Sequence, residues 1–352
     1  MSNERRTETT TCAVIGAGAW GTTLARMLGL QGHDVHLWAR RAEAARQIQA
    51  SRQNARYLPG FELPGNVTCH PQLDAALAGA EAVIIAVPSV GLRDVARQMR
   101  STLADDAMVV CATKGLERGT GKRMSEVLAE ELQPSNPAVL TALSGPNLSR
   151  EIARGMPAVS VVASSDRAAA ERAQRLLSND LFRVYTNCDI IGVELGGALK
   201  NVIAVGAGLS DGLGFGDNAK ASLITRGLAE ICRLGYALGA MPGTFWGIAG
   251  VGDLIATCHS DLSRNRNLGC RIGCGESVDS VIHSMHDVAE GYYTTHAAWH
   301  GARELGVEAP ITEAVYEILY ENGSPQEIAR RLMSRQWRAE HEPWHGTGAD
   351  DW

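Results

Sequence analysis

No apolar run in the 352 residues reads as long enough to span a bilayer, and a membrane-inserted chain is not expected. The opening MSNERRTETTT has no apolar segment of the secretory kind, which makes the cytoplasm the expected location. Positive charge is not in excess either. A formal net charge of -6 and a pI near 5.9 argue against general nucleic-acid binding and leave room for local basic pockets that take small anions. The eight cysteines are scattered without the spacing of a disulfide framework, so free thiols are expected. No internal repeat is present.

What the sequence does have is alternation. The runs CAVIG, DVHLWA, EAVIIAVP, AMVVCATKG, AVLTALSGP and AVSVVAS are separated by polar, alanine-rich stretches of helical period. That pattern predicts an α/β fold, a parallel sheet with helices on both faces. After RVYTN the strand signal stops, and residues 189–335 hold only helix candidates rich in Ala, Gly and Leu. The length suits two cores. The expected organisation is a disordered tail over 1–10, a sheet domain over 11–188, a helical domain over 189–335 and a polar tail over 336–352. Asp189 is placed to cap the first helix of the second domain.

VIGAGAWG ends the first strand with Gly16, Gly18 and Gly21 in the pattern G-x-G-x-x-G. Gly16 allows the tight turn, Gly18 lets backbone approach a pyrophosphate, and Gly21 lets the helix pack on the strand. The pattern alone is weak, but this one follows a strand and opens a helix, as a dinucleotide cradle requires. GLGFGD and GTGK lack that context and read as loops. The second strand ends in Arg40 and Arg41 with no carboxylate to accept from a ribose hydroxyl. An arginine there pairs with a 2′-phosphate, so NADPH is favoured over NADH unless both side chains are simply solvated.

In DIIGVELGGALKNVIAVGAGLSDG the only charges between Asp189 and Asp211 are Glu194 and Lys200. Six residues apart, they lie about 9 Å apart along a helix on different faces and cannot neutralise each other. Lys200 therefore needs another partner, a polar cavity or a path to the surface; in a cleft it is a proton donor or acceptor. Downstream, Asp253, Ser263, Arg264, Asn265 and Arg266 fall in one segment, and its guanidiniums, hydroxyl and amide suit a phosphate unless they form an exposed helix start. Lys114 in ATKG and the turn SGPN, with Gly145 and Asn147, lie just past strand ends, where α/β sheets hold ligands. Cys258, His259, Cys270, Cys274, His283 and His286 could ligate zinc on paper, but their spacings are loose and no metal site is expected.

Taken together, GAGAWGTTLA, NARYLPG, VPS, ATKGLE, SGPN, the long stretch around Lys200, AGVGDLIATC, SRNRNLG and VAEGYYT resemble the bacterial NAD(P)-dependent glycerol-3-phosphate dehydrogenases. The resemblance runs from about Thr11 to Leu332 and implies a Rossmann-type domain followed by a helical domain of the 6-phosphogluconate dehydrogenase C-terminal type. It implies reversible reduction of dihydroxyacetone phosphate to sn-glycerol 3-phosphate for phospholipid synthesis, with NADPH or NADH, in a homodimer. By position it makes Lys200 the catalytic residue, and Lys114, Gly145, Asn147, Asp253, Ser263, Arg264 and Asn265 substrate contacts. Cofactor contacts fall on Ala19, Trp20, Arg40, Lys114, Ser149, Arg264, Val288 and Glu290. Three positions depart from the commoner pattern: Ala19 for serine, Asn147 for a hydroxyl residue and Ser149 for alanine.

Residues and resemblance together imply hydride transfer to the ketone carbon, with Lys200 protonating the alkoxide, Asp253 orienting Lys200, and Arg264 with Asn265 holding the phosphate. A 3-hydroxyacid or 6-phosphogluconate-type dehydrogenase shares this architecture, and a non-catalytic NADPH-binding redox sensor is the alternative of another class.

Overall fold

Strands and helices alternate through the first half of the chain in this computed structural model, which describes residues 9–133, 140–285, 288–337 and 340. Most of both expected tails lies outside the described residues. The order is β1 (Thr11–Ile15), α1 (Ala19–Leu30), β2 (Asp34–Trp38), α2 (Ala42–Ser51), β3 (Val67–His70), α3 (Leu73–Leu77), β4 (Ala82–Ile85) and α4 (Ser89–Met99). It continues with β5 (Met108–Cys111), α5 (Met124–Leu132), β6 (Leu140–Ser144), α6 (Ser149–Ala153), β7 (Ala158–Ala163), α7 (Arg167–Leu177) and β8 (Phe182–Asn187). Along β1 the side chains alternate, with Cys12 and Val14 in the core on one face and Ala13 and Ile15 in the core on the other. Both faces are thus covered, as the unbroken apolar runs require.

The sheet order is β3-β2-β1-β4-β5-β6-β7-β8. β1 pairs with β2 on one side and β4 on the other, so the chain leaves β1 where the sheet changes winding direction. A crevice opens beyond the carboxyl ends of strands at such a point. Two features differ from the sequence expectation. β7 runs antiparallel to β6, whereas every other neighbouring pair is parallel. The connecting helix α6 has 5 residues. It covers only about 7.5 Å, too little to carry the chain back along a strand of about 16 Å. The second is the edge strand β3, whose four residues VTCH alternate between buried and half-buried and show no apolar run.

Helices follow β8: α8 (Ile190–Gly212), α9 (Gly216–Ala237), α10 (Asp253–His259), α11 (Arg264–Gly273), α12 (Val278–Ser284), α13 (Glu290–Glu304), α14 (Pro310–Tyr320) and α15 (Pro325–Met333). Asp189 caps α8 by accepting from the Gly192 amide at 2.8 Å. Contrary to the sequence expectation, α8 is long and apolar enough to cross a membrane, with a mean hydropathy of 1.5, but it is buried at the centre of the helical unit. α11 lies directly against it. A Cβ on Gly208 would sit 2.0 Å from the Arg266 carbonyl oxygen, and one on Gly269 2.0 Å from that of Val205. This contact seats the start of α11, with Arg264 and Asn265, beside the turn of α8 that carries Lys200 and Asn201.

Candidate active site

A cleft of about 1010 Å³ lies between the carboxyl ends of the strands and the helical unit. Beyond the end of β1 its sheet side is main chain. Gly16 adopts a φ of +116°, which makes the turn, and a Cβ on Gly21 would fall 1.8 Å from the Gly16 carbonyl oxygen. Gly18, the N-cap of α1, has nothing within 4 Å of where its Cβ would stand. The cradle is therefore open toward the cleft at Gly18 and closed behind it at Gly21. Ala19 and Trp20, in the first turn of α1, line the cleft, where unpaired amides and the helix dipole favour an anion. The Trp20 Nε1 is buried without a partner among the described residues. Asn54 secures the turn, donating to the Ala17 carbonyl at 2.9 Å and to Thr22 Oγ1 at 2.8 Å.

Arg40 and Arg41 are exposed and line the cleft beyond the end of β2. The carboxylate nearest in sequence, Glu43, also lines it, but its oxygens engage Gln47 at 3.1 Å and Arg46 at 3.5 Å. Ser149 begins α6, and its carbonyl accepts from Thr23 Oγ1 at 3.3 Å, which ties α6 to α1.

The helical side is charged side chain. Lys200 Nζ lies 2.6 Å from Asp253 Oδ1 and also donates to Thr257 Oγ1. The other oxygen of Asp253 lies 2.8 Å from Lys114 Nζ, which also donates to the Gly145 carbonyl at 2.6 Å. Asp253, 1 % exposed, thus bridges two lysines from different units. A short π-helical turn over Ile248–Gly252 precedes it and aims it inward. Burial pulls Lys114 down to about 8; Asp253 opposes that shift and the neighbouring Lys200 adds to it. Two ammonium groups around one carboxylate leave a cationic floor suited to an anionic ligand.

Glu194 is not the partner of Lys200, as the spacing predicts; it accepts from Arg123 Nη1 at 2.7 Å. Arg264 lines the cleft and makes no hydrogen bond among the described residues. Arg266, which the sequence groups with it, points elsewhere and pairs with Asp211 at 2.7 Å and with Asp261. Ser263 spends its Oγ capping α11, accepting from the Arg266 amide at 3.2 Å. Asn265 donates to Asn201 Oδ1 and accepts from the Gly291 amide, both at 2.8 Å, so its side chain joins three helices. Asn147 donates to Ser160 Oγ at 3.2 Å and leaves its Oδ1 buried and unpaired. That oxygen is an acceptor with no donor among the described residues. Val288 and Glu290 complete the wall.

Gly21, Gly145 and Asp253 stand behind the surface and hold residues that line it. Sequence reasoning missed Thr257, Asn201 and Asn54; the first two were within reach, because Thr257 is one helical turn from Asp253 and Asn201 adjoins Lys200. No group of three or more His, Cys, Asp or Glu is placed to hold a metal among the described residues, and His286 lies outside them.

Sequence profiles of the NAD-dependent glycerol-3-phosphate dehydrogenase N-terminus and C-terminus match residues 11–170 and 189–330. The NAD(P)+ glycerol-3-phosphate dehydrogenase of Geobacillus thermodenitrificans is 50 % identical over 323 residues, 92 % of this chain and 94 % of that protein. That of Citrifermentans bemidjiense is 48 % identical over 328 residues, 93 % and 98 % of the two chains. The crystal structure of glycerol-3-phosphate dehydrogenase from Coxiella burnetii, 36 % identical, superposes with a TM-score of 0.88 over 93 % of this chain and 99 % of that one.

Proposed function

The chain belongs to the NAD-dependent glycerol-3-phosphate dehydrogenase family, and from that premise we propose that it interconverts dihydroxyacetone phosphate and sn-glycerol 3-phosphate with NADPH or NADH. It is an oxidoreductase, and its product supplies glycerophospholipid synthesis. The observation that carries the reading is the Lys200–Asp253–Lys114 cluster on the floor of a cleft walled by a glycine cradle. The cradle fits the dinucleotide: Gly18 leaves room for a pyrophosphate, the first turn of α1 offers amides with Ala19 and Trp20, and the Trp20 Nε1 still lacks an acceptor. Arg40, beside Arg41, is available to a 2′-phosphate, and Ser149, Val288 and Glu290 border the same space.

When bound, the reduced nicotinamide supplies a hydride. The protein's part is to hold the ketone and deal with the charge that forms on its oxygen. Lys200 polarises the carbonyl as an ammonium and gives its proton to the alkoxide; in the oxidative direction neutral Lys200 takes the hydroxyl proton. Asp253 and Thr257 fix the Lys200 Nζ, so the donor needs no reorganisation at the moment of transfer. Arg264, with no partner of its own, is the group free to grip the phosphate, while Asn265 holds the start of α11 through Asn201 and Gly291. Lys114 adds positive charge beside the substrate, and Gly145 and Asn147 form the facing turn.

A redox sensor has no use for two lysines around one buried carboxylate, and that cluster favours the enzyme. The reading extends to a cytoplasmic homodimer, as the family resemblance implies, and light scattering on purified protein tests the dimer. The decisive assay follows NADPH oxidation with dihydroxyacetone phosphate and, in the reverse direction, NADP+ reduction with sn-glycerol 3-phosphate, 6-phosphogluconate and 3-hydroxy acids. Turnover confined to the triose phosphate pair supports the proposal, and turnover of the carboxylated substrates alone overturns it.

A further inference from the structure

Two glutamates of the helical unit reach into the sheet unit and grip it in the same way. Glu194 of α8 accepts from the Ser125 amide at 2.7 Å and from Ser125 Oγ at 2.5 Å. Glu290, the first residue of α13, accepts from the Ser89 amide at 2.9 Å and from Ser89 Oγ at 2.5 Å. Each carboxylate thus takes the amide and the hydroxyl of one serine in the first turn of a sheet-unit helix, α5 or α4. The surroundings differ. Glu194 also holds the Arg123 guanidinium, whereas Glu290 makes no ion pair among the described residues and feels only the more distant charge of Arg264. Glu290 borders the cleft, and Glu194 does not.

The Ser89–Glu290 clasp also sits against the Lys114 loop. A Cβ on Gly115 would lie 2.9 Å from Ser89 Cβ and 3.0 Å from Glu290 Oε2, so the glycine after Lys114 leaves the space the clasp fills. On the other side, Gly291 donates to Asn265, and Asn265 donates to Asn201 beside Lys200. The clasp is thereby joined to both lysine-bearing walls.

We propose that Ser89 is a positioning residue: by holding Glu290 it fixes the first turn of α13 against the Lys114 loop and keeps the cleft at the width the dinucleotide needs. The Ser125–Glu194 clasp only fastens the two units together. The proposal rests on the cleft being the dinucleotide site.

The test uses the purified full chain, with NADPH affinity read by fluorescence titration, kcat with dihydroxyacetone phosphate, thermal midpoint, and hydrogen exchange of α13 without ligand. Ser89→Ala removes one hydrogen bond to a desolvated carboxylate and should weaken NADPH binding by about tenfold while kcat changes less than about threefold. The first turn of α13 should exchange faster. Ser125→Ala, whose glutamate keeps Arg123, should lower the thermal midpoint and leave NADPH affinity within about twofold. Ser89→Ala combined with Glu290→Gln should bind NADPH no more weakly than Glu290→Gln alone, because the serine acts through the glutamate. Equal loss of NADPH affinity in the two serine variants, unchanged affinity in Ser89→Ala, unchanged exchange of α13, or additivity in the double variant overturns the proposal. Failure of the wild-type chain to bind NADPH is a separate result that removes the dinucleotide reading itself and this proposal with it.

Discussion

At the glycine turn the sheet unit meets the cleft with main chain, and at the floor the helical unit meets it with charged side chains. On one side the turn at Gly16, the open space at Gly18 and the amides of the first turn of α1 face the space proposed for the dinucleotide. On the other, Lys200, Asp253 and Thr257 form a buried polar cluster in which every polar tip has a named partner. A site made of amides tolerates changes of side chain that leave the backbone path intact. Ala19 in place of a hydroxyl residue removes one side-chain donor and no amide. A site made of buried charges tolerates little, because losing one partner leaves the others unpaired in a medium that screens them poorly.

The comparison is broken most severely at Asp253. Asp253→Ala leaves Lys114 and Lys200 facing each other without their carboxylate, and about 3–5 kcal/mol of stability should be lost. Denaturant unfolding checks this, and a loss below about 1 kcal/mol means the lysines do not depend on Asp253. Arg264→Lys keeps the charge and loses the fork, so KM for dihydroxyacetone phosphate should rise by the equivalent of about 1.5–3 kcal/mol. With unphosphorylated dihydroxyacetone the defect should shrink sharply; an undiminished defect assigns Arg264 to the cofactor or to packing.

On the sheet side the vulnerable points are backbone positions. Gly21→Ala puts a methyl group into the Gly16 carbonyl, at 1.8 Å, and should cost about 1–3 kcal/mol of stability together with NADPH affinity, read by unfolding and titration. Retained affinity would show that the turn can shift without loss of the cradle. Arg40→Asp should have the smallest effect, weakening NADPH by about fivefold on the solvent-exposed rim and sparing NADH. Equal weakening of the two cofactors takes the 2′-phosphate from Arg40 and points to Arg41.

The same division governs what could be read from the residues alone. Gly16, Gly18 and Gly21 are legible because the motif, the preceding strand and the following helix are contiguous. Lys200 stands out because it is a lone cation in an apolar helix, and Asp189 because caps are local. The strand β3 is not legible: four edge residues that alternate between buried and half-buried carry too little apolar signal. The antiparallel β7 depends on the length of α6, which apolar runs do not reveal. Arg266 reads as a phosphate ligand until the fold brings Asp211 to it, 55 positions away. The serine–glutamate clasps join residues 69 and 201 positions apart, a distance over which no spacing rule operates.

In the proposed mechanism Lys200 acts on the substrate oxygen while the sheet unit holds the dinucleotide independently. Lys200→Ala separates the two in one preparation, with NADPH affinity titrated and kcat measured with dihydroxyacetone phosphate. The expected result is a kcat lower by about 10²–10⁴-fold with NADPH affinity within about threefold of the unmodified chain. A kcat near that of the unmodified chain would contradict the assignment of proton transfer to Lys200.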